Sequence, residues 1–257
     1  MQWLRSLVFT LWFFLWTACY AIFFFIAAAL LPFRGRWVLA QVWGKVLLCT
    51  LRWCCRLDYQ ITGREQLPAG NHVALMKHSS SWEAFAQLVM LPAQVWVLKR
   101  ELMWVPALGW CLKLMRAIAI DRGAGGAAVR SVIEQGKQRL AEGKWVVIFP
   151  EGTRMPPGAT RRYGVSGALL AAETGRLIVP IAHDAGYYWP RRGLYKKPGT
   201  IHVTIGPPIQ TAGRDPRDIN AEAQAWIEAH SRPPTEQAGS AEASAPQRRP
   251  ERGHLGG

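Results

Sequence analysis

Three short segments carry residue types that could do chemistry. The first is HSSSWE (78–83), where His78 and Glu83 stand five residues apart; of the six histidines, only His78 has an acidic residue at that offset. A histidine at a strand end can take a proton from an attacking hydroxyl. A carboxylate on its other ring nitrogen would orient the imidazole and stabilise the imidazolium. The same residues also read as a capping box, with Ser80 as N-cap and Glu83 at N3, which would make Glu83 structural. Both readings of Glu83 stand at this level. The second segment is FPEGTR (149–154). A Gly-containing turn after an apolar strand exposes backbone N–H groups, and Arg154 within it could reach a phosphate. The third is AIAIDR (117–122), which ends in Arg122.

Two decoys are set aside. Ser79, Ser80 and Ser81 invite a serine nucleophile, but no GxSxG elbow surrounds them, and GVSGA (164–168) also fails that pattern. The glycines of GAGGAA (123–128) match GxGxxA, but Asp121 and Arg122 intervene between strand and glycines and no other nucleotide feature is present. They read as a turn into a helix.

The scaffold that would hold these segments alternates short apolar runs with helical periodicity. Strands are predicted at 72–77, 95–99, 117–120, 145–150, 177–182 and 201–206, and helices at 80–91, 127–142, 167–174 and 218–230. The alternation predicts an α/β domain with a mainly parallel sheet flanked by helices. Strand ends in such sheets are where sites collect.

Ahead of this domain, residues 6–33 carry no charge, and 7–31 as a helix is long enough to cross a bilayer with some tilt. Only Arg5 precedes the run, while Arg34, Arg36, Lys45, Arg52 and Arg56 follow it. The positive-inside rule then places the remainder on the cytoplasmic side of the cell inner membrane. A cleaved leader ending near Ala27 to Ala29 is the competing reading. The length of the run and the basic residues after it oppose that. Residues 37–56 form a second helix with a polar stripe of Gln41, Lys45, Arg52 and Arg56. It suits either a membrane surface or ordinary core packing.

The net charge of +14 fits nucleic acid, or an anionic membrane with phosphorylated substrates. The apolar N-terminus, with ten of thirteen Trp before residue 111, selects the membrane and not nucleic acid. The five cysteines form no CxxC pair and no metal spacing. The expected organisation is a membrane anchor at 1–57, a catalytic domain at 58–230, and a disordered tail at 231–257 rich in Pro, Gly, Ser and charge.

HSSSWE, AIAIDR, FPEGTR and IVPIA (178–182), in that order, resemble the four motifs of the glycerolipid acyltransferases, and most closely those of the bacterial 1-acylglycerol-3-phosphate acyltransferases. The resemblance covers about residues 61–210. It implies acyl transfer from acyl-CoA or acyl carrier protein to the free hydroxyl of 1-acylglycerol 3-phosphate, giving phosphatidic acid, with no cofactor and no metal. It implies His78 as base and Glu83 as its partner. Arg122, Glu151, Gly152, Thr153 and Arg154 would form the phosphate end of the acceptor site, with Pro180 near the acyl donor. A different lyso acceptor, such as a lyso-ornithine lipid, is the alternative within the family. A non-catalytic lipid-binding protein on the same scaffold is the alternative outside it. Three departures stand out. Glu83 replaces the commoner Asp, Lys77 stands where many members have Asn, and Gly164 stands where Lys is frequent, leaving Arg161 and Arg162 as substitutes.

Overall fold

The computed structural model describes residues 1–233, so the expected tail falls, from residue 234 on, outside the described residues. Two long helices come first: α1 (Gln2–Ala29) and α2 (Phe33–Cys55). Seven strands follow, namely β1 (Leu57–Thr62), β2 (Val73–Met76), β3 (Gln94–Lys99), β4 (Ile118–Ile120), β5 (Trp145–Ile148), β6 (Ile178–His183) and β7 (Gly199–Ile205). Between and after them lie α3 (Glu83–Met90), α4 (Leu108–Leu114), α5 (Gly126–Ala141), α6 (Ser166–Thr174), α7 (Ala185–Tyr188) and α8 (Pro216–Ala229). The strands form one sheet in the order β1-β7-β6-β2-β5-β3-β4. Every pairing is parallel except β6 with β7. The expected mainly parallel α/β sheet is what forms. β1 and the short helices α4 and α7 were not foreseen: α4 and α7 are too short to show a helical period, whereas β1 alternates strictly but follows a long helix without a turn signal.

Both faces of the central strands are covered, which is why their residues read as continuous apolar runs. Side chains alternate between two cores. Ala74 and Met76 of β2 face the layer holding α2 and α3, with Leu47, Leu51 and Phe85. Val73 and Leu75 face the opposite layer with Val132 of α5, Leu170 of α6 and Ile227 of α8. α2 lies close on α3 at Gly44, where a Cβ would stand 2.8 Å from the Phe85 carbonyl oxygen. Any larger residue there forces the two helices apart.

The N-terminal helices dock on the domain instead of projecting from it. Gln2 Nε2 donates to the carbonyls of Cys55 and Lys196. Phe9 meets Trp189 edge-on, and Phe25 packs against Trp110. α1 is therefore held from its first turn to its last. Its outward side leaves Leu4, Leu11, Phe14, Leu15, Ile22 and Ile26 exposed. Trp104 and Trp110, on the segment leading into α4 and on α4 itself, are also exposed. The stripe expected on α2 divides. Lys45, Arg52 and Arg56 are exposed, but Gln41 is partly buried and donates to the Leu88 carbonyl. Val38, Val42 and Trp53 share the outer surface with the basic residues.

Candidate active site

Parallel neighbours bring the two chemistry-bearing segments together. β2 and β5 pair with Leu75 opposite Ile148, so both strands deliver their C-terminal ends to one edge of the sheet. His78 follows β2 by two residues, and FPEGTR leaves the end of β5.

His78 Nδ1 lies 2.7 Å from Glu83 Oε1. The His78 side chain is 14% exposed, whereas that of Glu83 is fully buried. The carboxylate also accepts the peptide N–H groups of Ser79 at 3.1 Å and Ser80 at 2.9 Å. Burial pushes the Glu83 carboxyl up. The hydrogen bond from His78, the charges of His183 and His78, and the Ser80 peptide outweigh it and hold the group below its ordinary value. With Glu83 ionised, Nδ1 carries the proton and Nε2 is the basic nitrogen. His183, also fully buried, approaches Glu83 Oε2 at 3.7 Å while its Nε2 bonds the Lys77 carbonyl.

The two sequence readings of Glu83 merge here. α3 begins at Glu83, two residues later than a helix capped by Ser80 predicts, and Ser80 Oγ accepts the Trp82 N–H at 3.1 Å. Only half of a capping box forms: Glu83 reaches back to the Ser80 peptide, but the hydroxyl serves Trp82. One carboxylate both closes the turn and holds the imidazole.

The 149–155 segment grips His78 on three sides. Phe149 stacks on the imidazole with centroids 4.3 Å apart. Glu151 Oε1 accepts the His78 N–H at 3.1 Å, and the Met155 N–H donates to the His78 carbonyl at 2.8 Å. Gly152 permits the turn with a φ of 66°, a left-handed conformation that favours glycine. Glu151, which the resemblance implies at the phosphate end, lies beneath the base. Its side chain is fully buried, facing the base and not the solvent, and a carboxylate would repel a phosphate. Burial pushes this carboxyl up to about 7, against the pull of Lys77 and the His78 peptide.

Of the remaining expected residues, Arg154 is the best placed. It is partly buried at the mouth of the turn, and its Nε is a buried donor with no acceptor among the described residues. Gly152 and Thr153 lie beside it, partly exposed. Gly164 donates its N–H to the Pro150 carbonyl, which sets the exposed Arg161 and Arg162 close to the same turn. Arg122 stands apart: it follows β4, the edge strand, three strands from β2. At about 4.8 Å per strand, β4 lies about 14 Å from β2 across the sheet. Pro180 is buried within β6 opposite Leu75, so it shapes the sheet under the site without offering surface to a ligand. Sequence reasoning missed the stacking of Phe149 and the buried His183. Phe149 opens the FPEGTR segment and His183 directly follows IVPIA, but their contacts with His78 and Glu83 depend on elements far apart in the chain.

Comparison with known proteins agrees with this architecture. The acyltransferase family pattern matches residues 58–184. The chain is 41% identical over 207 residues to a 1-acyl-sn-glycerol-3-phosphate acyltransferase of Pseudomonas aeruginosa, covering 79% of this chain and 80% of that one. It is 28% identical over 192 residues to the human 1-acyl-sn-glycerol-3-phosphate acyltransferase alpha, covering 73% and 68%. The crystal structure of the 1-acyl-sn-glycerophosphate acyltransferase PlsC from Thermotoga maritima superposes with a TM-score of 0.73 at 20% identity, over 97% of this chain and all of that one. At that identity the superposition establishes the fold. With a close relative matched over four fifths of its length and a His–Glu pair at the head of the sheet, the chain belongs to the acyltransferase family that contains the 1-acyl-sn-glycerol-3-phosphate acyltransferases.

Proposed function

We propose that this protein transfers a fatty acyl chain from acyl-CoA or acyl carrier protein to the free hydroxyl of 1-acylglycerol 3-phosphate, forming phosphatidic acid in phospholipid synthesis. The carrying observation is the His78–Glu83 contact at 2.7 Å, with the carboxylate buried and the imidazole reachable. His78 Nε2 takes the proton of the acceptor hydroxyl as its oxygen attacks the thioester carbonyl. Glu83 stabilises the imidazolium that forms. The tetrahedral intermediate collapses with cleavage of the C–S bond. The departing thiolate takes the proton from Nε2 and leaves as the thiol, and no acyl-enzyme is needed. A protein that only bound lipid would have no use for an ionised carboxylate aimed at a histidine.

The acceptor phosphate is assigned to Arg154, with Gly152 and Thr153 forming the turn beneath it and Arg161 or Arg162 adding charge. Glu151 serves the base. The test is purified protein with labelled acyl-CoA and a panel of lyso acceptors. Acylation of 1-acylglycerol 3-phosphate is expected, with little transfer to acceptors lacking the phosphate. Preferential acylation of a lyso acceptor without phosphate would overturn the assignment. Within the same assay, Arg154→Ala is expected to raise the acceptor KM about tenfold or more, the equivalent of one charge-assisted hydrogen bond. Arg154→Lys recovers part of this, because an ammonium lacks the bidentate fork. An unchanged acceptor KM would place the phosphate elsewhere.

Two apolar helices associate the protein with membrane, and α1 and α2 are each long and apolar enough to cross one. We assign the exposed face of α1 to the lipid and the catalytic domain to the cytoplasmic side. Full-length protein is expected to stay with membranes through a carbonate wash. The double variant Leu11→Glu, Leu15→Glu, both on the exposed face, is expected to release a folded protein into the supernatant. Its retention would show that another surface makes the attachment.

A further inference from the structure

Behind His78 lies a set of charges that the proposed mechanism does not use. Lys77 immediately precedes the base, and its side chain is only 4% exposed. Its Nζ sits 2.7 Å from both carboxylate oxygens of Glu228 on α8, and it donates to the Ala159 carbonyl at 3.1 Å. The same Nζ is 3.4 Å from Glu151 Oε1, the atom that accepts the His78 N–H. Tyr163 donates its hydroxyl to Glu228 at 2.7 Å. α8 also secures the Tyr163 main chain: Gln224 Oε1 accepts its N–H, and Asn220 Nδ2 donates to its carbonyl. One ammonium therefore stands between two carboxylates. One belongs to α8; the other holds the peptide of the base.

We infer that Lys77 and Glu228 are positioning residues for His78, acting through the charge they impose on Glu151. This rests on the reading of His78 as general base. An ionised carboxylate is the stronger acceptor for a peptide N–H. Protonated Glu151 holds that N–H less firmly, and the main chain that carries the imidazole loses one of the contacts that hold it in place. Misplacement of a catalytic group by about 1 Å can cost on the order of a hundredfold in rate. Burial, set against Lys77 and the His78 peptide, leaves the Glu151 carboxyl raised to about 7, so near neutral pH a change in any of these neighbours alters its charge. The groups facing it are Lys77 and His78 from the end of β2, Tyr163 from the loop ahead of α6, and Glu228 from α8. Lys77 favours the ionised form and Glu228 opposes it.

The two substitutions consequently act in opposite directions. Activity needs Glu151 ionised, so it falls as pH drops through that group's titration. Lys77→Met removes the stabilising cation and is expected to move the acidic limb of the kcat–pH profile upward by about one pH unit or more. Glu228→Gln, nearly isosteric, removes the opposing anion and moves the limb downward. Lys77→Arg keeps the charge and leaves the limb close to that of the wild type. These shifts are expected in kcat, with the acceptor KM little changed. If Lys77→Met fails to fold, Glu228→Gln carries the test alone. In a Glu151→Gln background both shifts should vanish, as a double-mutant cycle requires of an effect routed through that residue. Shifts that persist there would mean direct coupling to the imidazole and would overturn the inference. So would limbs that stay fixed while melting temperatures fall, which is the mark of a clamp on α8. A wild-type protein with no acyl transfer at any pH would instead defeat the functional assignment itself.

Discussion

His78→Ala is expected to fold normally and to lose about 10²–10⁴-fold in kcat, the range supplied by a positioned general base. The side chain is partly exposed and its neighbours are held independently, so its removal leaves the core intact. Phe149 keeps its strand connection, Glu151 still meets the peptide of residue 78, and Glu83 keeps both serine N–H donors. The buried Glu83 carboxylate loses one of its partners, so a modest fall in melting temperature accompanies the loss. The measurement is kcat at saturating acceptor, together with a melting curve. A folded His78→Ala enzyme within tenfold of wild type would remove His78 from the mechanism.

Glu83→Gln is expected to approach the same loss, on the order of 10³-fold or more, because a neutral amide neither stabilises the imidazolium nor enforces the correct tautomer. Here the structure sharpens the expectation. Glu83 Oε1 accepts from His78 Nδ1, Ser79 N and Ser80 N, while Oε2 accepts from Ser80 N as well. An amide has one acceptor oxygen for these donors, and its NH₂ would face either the imidazole or the Ser80 peptide donor to donor. Glu83→Asp keeps the charge but is shorter by about 1.5 Å, one C–C bond. It cannot meet both the imidazole at 2.7 Å and the serine peptides without movement of the turn. The expected order of kcat is wild type, Asp, Gln. A Glu83→Gln enzyme at the wild-type rate would leave Glu83 as a closure of the turn and nothing more.

Periodicity and motif order made much of this molecule legible. The buried strands β2, β5 and β6 announce themselves as apolar runs because both faces of the sheet are covered. α5 shows its amphipathic period and ends two residues before Gly143, whose positive φ closes the turn into β5. β1 was not foreseen although Leu57, Tyr59 and Ile61 alternate with Asp58, Gln60 and Thr62, because six alternating residues directly after a long helix carry no turn signal of their own. It becomes a strand by pairing with β7, a partner some 140 residues away, which no local signal encodes. α1 reads as a membrane helix from its composition, yet Phe9, Phe24 and Ala28 are as buried as any core residue. Apolar composition is the same whether lipid or protein receives the side chain, so docking along the domain had to come from packing.

At the site, residue types and spacing determined that His78 has a carboxylate within reach and that a turn bearing Arg154 follows an apolar strand. What they left open, tertiary structure decided. Glu83 both closes its turn and holds the base, because a buried carboxylate can accept from the serine peptides and the imidazole together. Glu151 and Arg154, only three residues apart, take opposite roles: the turn at Gly152 sends one side chain under His78 and leaves the other toward the mouth. Arg122, grouped with them by motif order, ends three strands away because β4 is the sheet edge. Lys77 and Glu228 meet although 151 residues separate them. Sequence carries the identities of such groups, but the strength of a charge interaction depends on distance and burial, and only the folded chain supplies those.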